Sequence, residues 1–160
     1  MAEQAGVPES PAERVRELLE HVAEAFELQA TVEVTEDDEE IRAVVDGDDL
    51  GLLIGKHGAT IDALQHLAAR AAFRGLGSRK VVVLDAAGYR ERREAALHRA
   101  AEQAVEDALR FGRAVELEPM SAQERRIVHT YLRDRADVQT HSEGDEPDRR
   151  LVVSPVRQTG

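Results

Sequence analysis

Two glycines break the apolar pattern of the chain between residues 50 and 74, and this break most constrains how the chain can fold. Apolar residues precede the segment Gly55-Lys56-His57-Gly58, and others recur at three- and four-residue spacing after it. That spacing predicts a short helix over residues 50–54 and an amphipathic helix over residues 59–74. Because glycine reaches backbone angles that other residues avoid, the segment predicts a sharp turn between the two helices.

Helical and alternating patterns divide the rest of the chain into further elements, which predict an α+β fold class. Ser10 and Ser121 are each followed three residues later by glutamate, a spacing that indicates capped helix starts. Further helices are expected at 11–28, 88–111 and 122–134, and strands at 30–35, 40–46, 81–84, 138–141 and 150–153. We expect a flexible tail at 1–10, a first module at 11–86, a second module with its long connecting helix at 87–155, and a tail at 156–160.

Each of the four long predicted helices carries an apolar stripe that is expected to face a core, and that of helix 11–28 contains Val15, Leu18, Leu19, Val22 and Phe26. The stripe of helix 59–74 contains Ile61, Leu64, Leu67, Ala68 and Ala71. The stripe of helix 88–111 contains Leu97, Ala100, Ala104, Ala108 and Leu109. The stripe of helix 122–134 contains Ile127, Val128, Tyr131 and Leu132.

The charge of the chain is unevenly distributed, although its net value is −11. Residues 1–50 carry 16 acidic and 3 basic side chains, whereas residues 51–113 carry 7 acidic and 11 basic ones. A basic middle allows nucleic-acid binding despite the acidic total. The acidic first third is either a solvated, solubilising surface or a means of keeping anions off the wrong face.

Composition excludes several other kinds of site and location. The chain contains no cysteine, so disulfides, thiolate zinc sites and a cysteine nucleophile are excluded. Its longest apolar runs are too short for a membrane span, and no signal peptide is evident, so a cytoplasmic protein is expected. No cofactor or metal is expected, because the histidines include no H-E-x-x-H pair and the acidic run 37–40 lacks the ligand spacing of a calcium loop. The five aromatic residues do not cluster in a strand, which disfavours a sheet that stacks bases on paired aromatic rings.

The glycine segment has the properties of a phosphate-binding turn. It leads into a helix N-terminus, whose free N–H groups and partial positive charge favour phosphate. Lys56 supplies a mobile cation and His57 a donor, while Ile54 and Ile61 would form an apolar wall for bases. The alternative is a plain turn between helices. A nucleotide P-loop does not fit, because the glycine spacing is one residue short and His57 stands where serine or threonine should be.

A second group of candidate residues lies on the helix predicted at 122–134. Arg125 and His129 are four residues apart and share a face, and Arg133 extends that stripe. Arginine can bind phosphate through its planar fork, and histidine can donate to it. Arg149 and Arg150 follow near the last strand. The alternative is an exposed helix face with a solvated histidine.

Two resemblances connect these segments to known families. Residues Ile54 to Ile61 resemble the K-homology signature I-G-x-x-G-x-x-I, and the element order over 11–85 resembles the bacterial type II arrangement α-β-β-α-α-β. The resemblance implies that Gly55, Lys56, His57 and Gly58 clamp the phosphates of about four unpaired nucleotides, with Ile54 and Ile61 in the groove. Arg125 to His129 resembles the Arg-x-x-x-His (R-3-H) single-strand-binding domain, a small α/β module.

The two modules in this order resemble the bacterial Jag (SpoIIIJ-associated) family over residues 11–155. Many members carry a further N-terminal domain, which we expect this chain to lack. The resemblance implies a non-catalytic protein that binds single-stranded RNA, with single-stranded DNA as the other candidate ligand and a second small K-homology protein as a candidate partner. It further implies a post-transcriptional regulator or RNA chaperone acting on the cell envelope or division.

Two other functions stay open from the residues alone. One is an acidic protein-interaction adaptor in which residues 1–49 carry recognition and the glycine segment is only a turn. The other, ranked last, is a nucleic-acid-processing enzyme. Aspartate at both Gly55 and Gly58 is expected to abolish RNA retention while leaving the fold intact, which would separate RNA binding from the adaptor function.

Overall fold

Helices and strands alternate in two groups, and the α+β architecture predicted from the sequence is confirmed. The computed structural model describes residues 10–157. Residues 1–9 and 158–160, which make up most of the two predicted tails, lie outside the described residues. The chain divides into two units, with Arg90 closing the first and Glu91 opening the second.

The first unit contains three helices, one short turn of 3₁₀ helix and three strands. Ser10 caps its first helix, and the reciprocal hydrogen bonds between Ser10 and Glu13 form the predicted capping box. The elements are α1 (Pro11–Ala25), β1 (Ala30–Glu36), β2 (Glu40–Gly47), α2 (Gly51–Ile54), the 3₁₀ turn (Lys56–Gly58), α3 (Ala59–Ala72) and β3 (Val81–Ala86).

The three strands form one sheet in the order β1-β2-β3. β1 and β2 are an antiparallel hairpin, whose turn is held by the Asp37 carboxylate accepting the N–H groups of Glu39 and Glu40 at 2.8 Å each. These two hydrogen bonds stabilise the charged form and hold the pKa of Asp37 below its usual value. β2 and β3 are parallel.

The parallel pairing of β2 and β3 decides where the glycine segment lies. Parallel neighbours need a crossover between the end of one strand and the start of the next, and here α2, the 3₁₀ turn and α3 provide it. α3 returns across the sheet with Ile61 and Ala68 completely buried. The glycine segment therefore lies at the end of the sheet where β2 finishes, and the 73–80 connection lies at the opposite end.

The second unit packs two helices with a small antiparallel sheet. Its strand order is β4-β6-β5, and its core contains Leu97, Val105, Val128, Leu151 and Val153. Ser121 and Glu124 form the second predicted capping box. The elements are α4 (Tyr89–Phe111), which begins before the division, β4 (Val115–Glu116), α5 (Ala122–Leu132), β5 (Val138–Glu143) and β6 (Arg150–Pro155).

Several predicted core positions are wrong. Periodicity gives the spacing of apolar residues along a helix, but it does not decide which residues at the margin of the apolar stripe face the core. α4 buries Ala101 and Val105 rather than Ala100 and Leu109, and Leu109 is 44% exposed. Leu67 and Tyr131 are also exposed, at 54% and 41%.

Several element boundaries also differ from the prediction, and one short strand was not predicted. α1 ends at Ala25 rather than at 28, since Glu27 adopts a positive φ of 55° that a right-handed helix cannot contain. The two-residue strand β4 was not predicted because it is too short to alternate. Val156, placed in the predicted tail, donates its N–H to the Asp137 carbonyl at 2.9 Å.

Candidate nucleic-acid interface

Three of the four residues of the glycine segment adopt backbone conformations of a kind that favours glycine. Gly55 has φ 74° and ψ 177°, a region almost restricted to glycine. His57 has φ 53° and ψ 27°, and Gly58 has φ 79° and ψ 14°, both left-handed. The predicted sharp turn between two helices is thus present, and both glycines are needed to make it.

Close neighbours reinforce the requirement for glycine. A Cβ on Gly55 would overlap the Thr60 hydroxyl and lie 2.9 Å from the Thr60 backbone nitrogen. A Cβ on Gly58 would lie 2.9 Å from Cε1 of Tyr89. The structure therefore contradicts the expectation that aspartate at both glycines leaves the fold intact, because each side chain would have to displace a packed neighbour.

The two residues between the glycines carry the chemistry of the turn. The Lys56 side chain is exposed and His57 is half-buried, so a cation and a ring donor stand beside the first turn of α3. Gly58, the N-cap of α3, offers no side-chain cap to the amides of that turn. The nearest acidic residue of α3, Asp62, is paired with Arg90 at 2.8 Å. This surface can accept an anion.

The two predicted groove residues have different environments. Ile61 is completely buried, so it belongs to the core and not to the wall of a groove. Ile54 is partly buried and packs against the same core, which leaves some of its surface beside the turn. Of the two, only Ile54 can touch a ligand.

Hydrogen bonds that the sequence did not reveal fix α3 against the edge strand β3. Gln65 Oε1 accepts the N–H of Leu84 at 2.9 Å, and Arg90 Nε donates to the Leu84 carbonyl at 2.7 Å. Arg90 also donates to Gln65 at 3.0 Å and to Asp62 at 2.8 Å. These contacts satisfy the N–H and the carbonyl of Leu84 on the edge strand and anchor the helix that the glycine turn begins.

Arg125 in the second unit is a buried anchor. It is 7% exposed, and its Nη1 donates to the Met120 carbonyl at 2.6 Å and to the Arg149 carbonyl at 3.4 Å. Its Nη2 pairs with Glu146 at 2.6 Å. These partners tie the start of α5 to the turn between β5 and β6, so the guanidinium is not open to a ligand in the way the sequence predicted.

His129 is exposed on the same helix, and its Nδ1 lies within hydrogen-bonding distance of Thr140 Oγ1 on β5. That contact orients the ring and leaves Nε2 as the nitrogen that a ligand can reach. Arg125 and His129 therefore share a helix face, as predicted, but they have different surroundings: one holds the scaffold and the other presents a donor.

A cavity of about 400 Å³ brings several of the predicted residues together. Arg125, His129 and Arg149 line it, whereas Arg133 and Arg150 do not. Arg150 is instead paired with Glu116 at 2.9 Å, and Arg133 is exposed beyond the end of α5. Its full lining is Ala122, Arg125, Arg126, His129, Thr140, His141, Ser142, Arg149 and Leu151.

Four polar residues of this cavity were not predicted from the sequence, namely Arg126, Thr140, His141 and Ser142. The period-two spacing of Thr140 and Ser142 on β5 could have indicated a shared polar face. Every charged side chain in the lining is basic, although Glu143 pairs with His141 at 2.8 Å at its edge. We call it the basic cavity.

Two further observations concern residues 10–157. Within that range no three histidine or acidic side chains group together in a way that could hold a metal ion. None of the helices described there is both long and apolar enough to pass through a bilayer.

Comparison with known families places both sites inside recognised domains. Residues 12–84 match the family described as KhpA/KhpB, KH domain, and residues 95–155 match the R-3-H domain. The glycine turn lies in the first match, and the basic cavity lies in the second. The fold and the matches together define a protein with a K-homology module followed by an R-3-H module.

Curated relatives show which family combines these modules. The chain is 38% identical over 144 residues to the RNA-binding protein KhpB of Clostridium symbiosum, covering 89% of this chain and 65% of the relative. It is 34% identical over 149 residues to that of Bacillus subtilis (strain 168), covering 92% and 72%. With the Lactiplantibacillus plantarum protein of the same name it shares 46% identity over 104 residues, covering 65% and 32%.

The chain belongs to the KhpB family, and the predicted resemblance to the Jag family is confirmed. It spans 65% and 32% of the lengths of the Clostridium symbiosum and Lactiplantibacillus plantarum relatives.

Alanine at the two turn glycines should destabilise the protein more than alanine at Gly75. Gly75 also has a positive φ, 76°, but a Cβ there meets nothing within 4 Å. We expect Gly75→Ala to cost about 1 kcal/mol in backbone strain, Gly58→Ala roughly 1 kcal/mol more, and Gly55→Ala about 3 kcal/mol or more. Urea unfolding measures the three free energies of unfolding, and equal losses would contradict the packing described.

Arg125→Ala should lower the free energy of unfolding by about 2 kcal/mol, since it removes the donor to two carbonyls and to Glu146. Its exposed neighbour provides the control: Arg126→Ala should change stability by less than about 0.5 kcal/mol. Thermal and urea unfolding of both variants make the comparison. A stable Arg125→Ala protein would mean that the buried contacts do not anchor α5.

Proposed function

We propose that this chain is a non-catalytic protein that binds single-stranded RNA through the glycine turn and the basic cavity. The observation that carries the proposal is the turn itself. Its two glycines make a sharp bend at which Lys56 is exposed and His57 is half-buried, and Ala59 at the start of α3 is exposed beside it. The relatives named RNA-binding protein KhpB support it.

The proposed mechanism begins with the phosphates. The bend lets the sugar–phosphate chain come close to the protein backbone, where Lys56, His57 and the amides at the start of α3 contact phosphate oxygens. These contacts supply affinity with little sequence preference. A base next to the clamped phosphates can rest on the exposed part of Ile54.

The basic cavity is the proposed second site. His129, Arg126 and Arg149 line it and would contact phosphate there, while Arg125 acts as a positioning residue that keeps the turn between β5 and β6 in place. The two sites belong to one chain, so a strand held at one raises the effective concentration at the other. Two weak sites can then give useful affinity.

Three further proposals rest on membership of the family. The first is a role in post-transcriptional regulation or RNA chaperoning with consequences for the cell envelope or division. The others are a cytoplasmic location and a second small K-homology protein as partner. The family model that matches residues 12–84 covers the domains of both KhpA and KhpB, which supports a partner of that kind. Single-stranded DNA is the alternative ligand.

A protein-interaction adaptor is the second candidate function. Residues 1–50 have a net charge of −13, and the edge strand β1 presents the exposed side chains of Thr31, Glu33 and Thr35. Such a surface suits a basic partner and repels nucleic acid. If the adaptor is the function, changes at the glycine turn will have no effect on the ligand that is bound.

The double variant Lys56→Asp with His57→Asp tests the proposal without disturbing either glycine. Both side chains have exposed surface, and aspartate tolerates the left-handed conformation of position 57. We expect the affinity for a ten-nucleotide single-stranded RNA, measured by fluorescence anisotropy, to fall at least about tenfold, because two favourable contacts become repulsive.

Two further measurements complete this test: the salt dependence of the RNA affinity and the RNA affinity of a matched control variant. If about four phosphates are contacted, log K should fall against log salt with a slope near −3, and the double variant should give a shallower slope. The control variant Arg74→Asp with Arg79→Asp changes the net charge more than the test variant does, but at the opposite end of α3, about 20 Å away. Its affinity for the RNA should be close to that of the parent protein. Equal losses from both pairs, or an affinity insensitive to salt, would refute the role of the turn.

A further inference from the structure

Two rings in the second unit form a stacked pair on the surface. His98 of α4 and Tyr131 of α5 have ring centroids 4.0 Å apart and planes within 12° of parallel. Tyr131 is 41% exposed, although the sequence placed it in the core. The interaction with the Glu102 carboxylate raises the pKa of the Tyr131 phenol. Tyr131 thus combines a stacked contact with His98 and exposed surface.

These rings line a cavity of about 520 Å³, which we call the aromatic cavity. Gln123 and Thr130 of α5 line it as well and bring hydrogen-bonding groups to its wall. Flat rings with amide and hydroxyl groups beside them are the combination that recognises an unpaired base, which stacks on the rings and has its edge read by polar groups.

Arg126 connects the aromatic cavity to the basic cavity, since it lines both. It is exposed, and it lies one residue beyond the buried Arg125 and one turn before Thr130. A nucleic-acid strand that has a phosphate in the basic cavity can thus place the next nucleotide in the aromatic cavity, with the Arg126 guanidinium near the phosphate that joins them.

The two cavities carry different charges, and the difference suits a phosphate in the basic cavity and a base in the aromatic cavity. The charged lining of the basic cavity is entirely basic, whereas the aromatic cavity also contains the Glu94 carboxylate, which lies 3.7 Å from His98 Nε2. A carboxylate repels phosphate but accepts hydrogen bonds from the amino group of a base. The aromatic cavity thus favours a base over a second phosphate.

We propose that the His98–Tyr131 pair is a base-stacking site for one unpaired nucleotide of the strand held in the basic cavity, with Arg126 bridging the two cavities. This inference rests on the proposed function and adds a base-binding site to it. The site lies on the face of α5 that carries Thr130 and Tyr131, not on the face that carries Arg125 and His129.

A tryptophan reporter tests the proposal directly. The chain has no tryptophan, so Tyr131→Trp introduces a single tryptophan into the 160-residue chain. We expect titration with ten-nucleotide single-stranded oligoadenylate to quench its emission, because a stacked base lies against the indole. An abasic ribose-phosphate oligomer of equal length should bind through phosphate without quenching.

Phe111 provides the matched reporter position. It is 55% exposed in the same unit and lines neither cavity. Phe111→Trp should bind the oligoadenylate with the affinity of the parent and show little quenching. Equal quenching at the two positions, or equal quenching of Tyr131→Trp by the abasic oligomer, would overturn the proposal.

The oligoadenylate affinities of point variants distinguish the contribution of base stacking from the contribution of charge. Tyr131→Ala should weaken oligoadenylate binding about 5- to 100-fold with an unchanged salt slope, whereas Tyr131→Phe, which keeps the ring, should bind within about twofold of the parent. Arg126→Gln should make the salt slope shallower by about 0.7, since one phosphate contact is lost.

These experiments distinguish a failure of the base-stacking proposal from a failure of the proposed RNA-binding function. If the parent binds oligoadenylate with a salt-dependent affinity but Tyr131→Ala binds equally well, the stacking site is wrong and the RNA-binding function stands. If the parent does not bind single-stranded RNA at all, the proposed function itself is refuted, and the stacking site with it. Should Tyr131→Ala fail to fold, the quenching of Tyr131→Trp still decides the matter.

Discussion

The backbone of Gly55 is the constraint on which the first unit depends. Its φ and ψ fall where a side chain is almost never accommodated, and Thr60 occupies the space that a Cβ would need. This conformation lets α2 end and α3 begin within four residues, and α3 is the helix that connects the parallel strands β2 and β3. The fold of the unit and the shape of the proposed phosphate site therefore come from the same two glycines.

The second unit divides structural and surface roles between neighbouring residues of one helix. Arg125 is buried and holds Met120, Arg149 and Glu146 together, while Arg126 and His129 are exposed. A buried guanidinium is costly unless its donors are satisfied, and here carbonyls and a carboxylate satisfy them. The arginine of the Arg-x-x-x-His pattern thus shapes the basic cavity, and its neighbours provide most of the surface.

Much of the fold could be predicted because the signals are local. Capping boxes at Ser10 and Ser121 depend on residues three positions apart, and the glycine turn depends on four consecutive residues. The contacts of Arg125 could not be predicted, because Glu146 lies 21 residues away in the turn between β5 and β6, and no local pattern brings that turn to the start of α5. Tyr131 was misplaced for a similar reason, as its neighbour His98 lies on another helix.

The central claim is that an unpaired RNA strand contacts the backbone at the glycine turn. The most direct test is a titration of the ¹⁵N-labelled chain with single-stranded RNA, followed by amide NMR shifts. The account predicts that the largest shifts fall on the amides of residues 55–60. Shifts concentrated instead on the acidic hairpin of β1 and β2, with the amides of the turn unmoved, would contradict it.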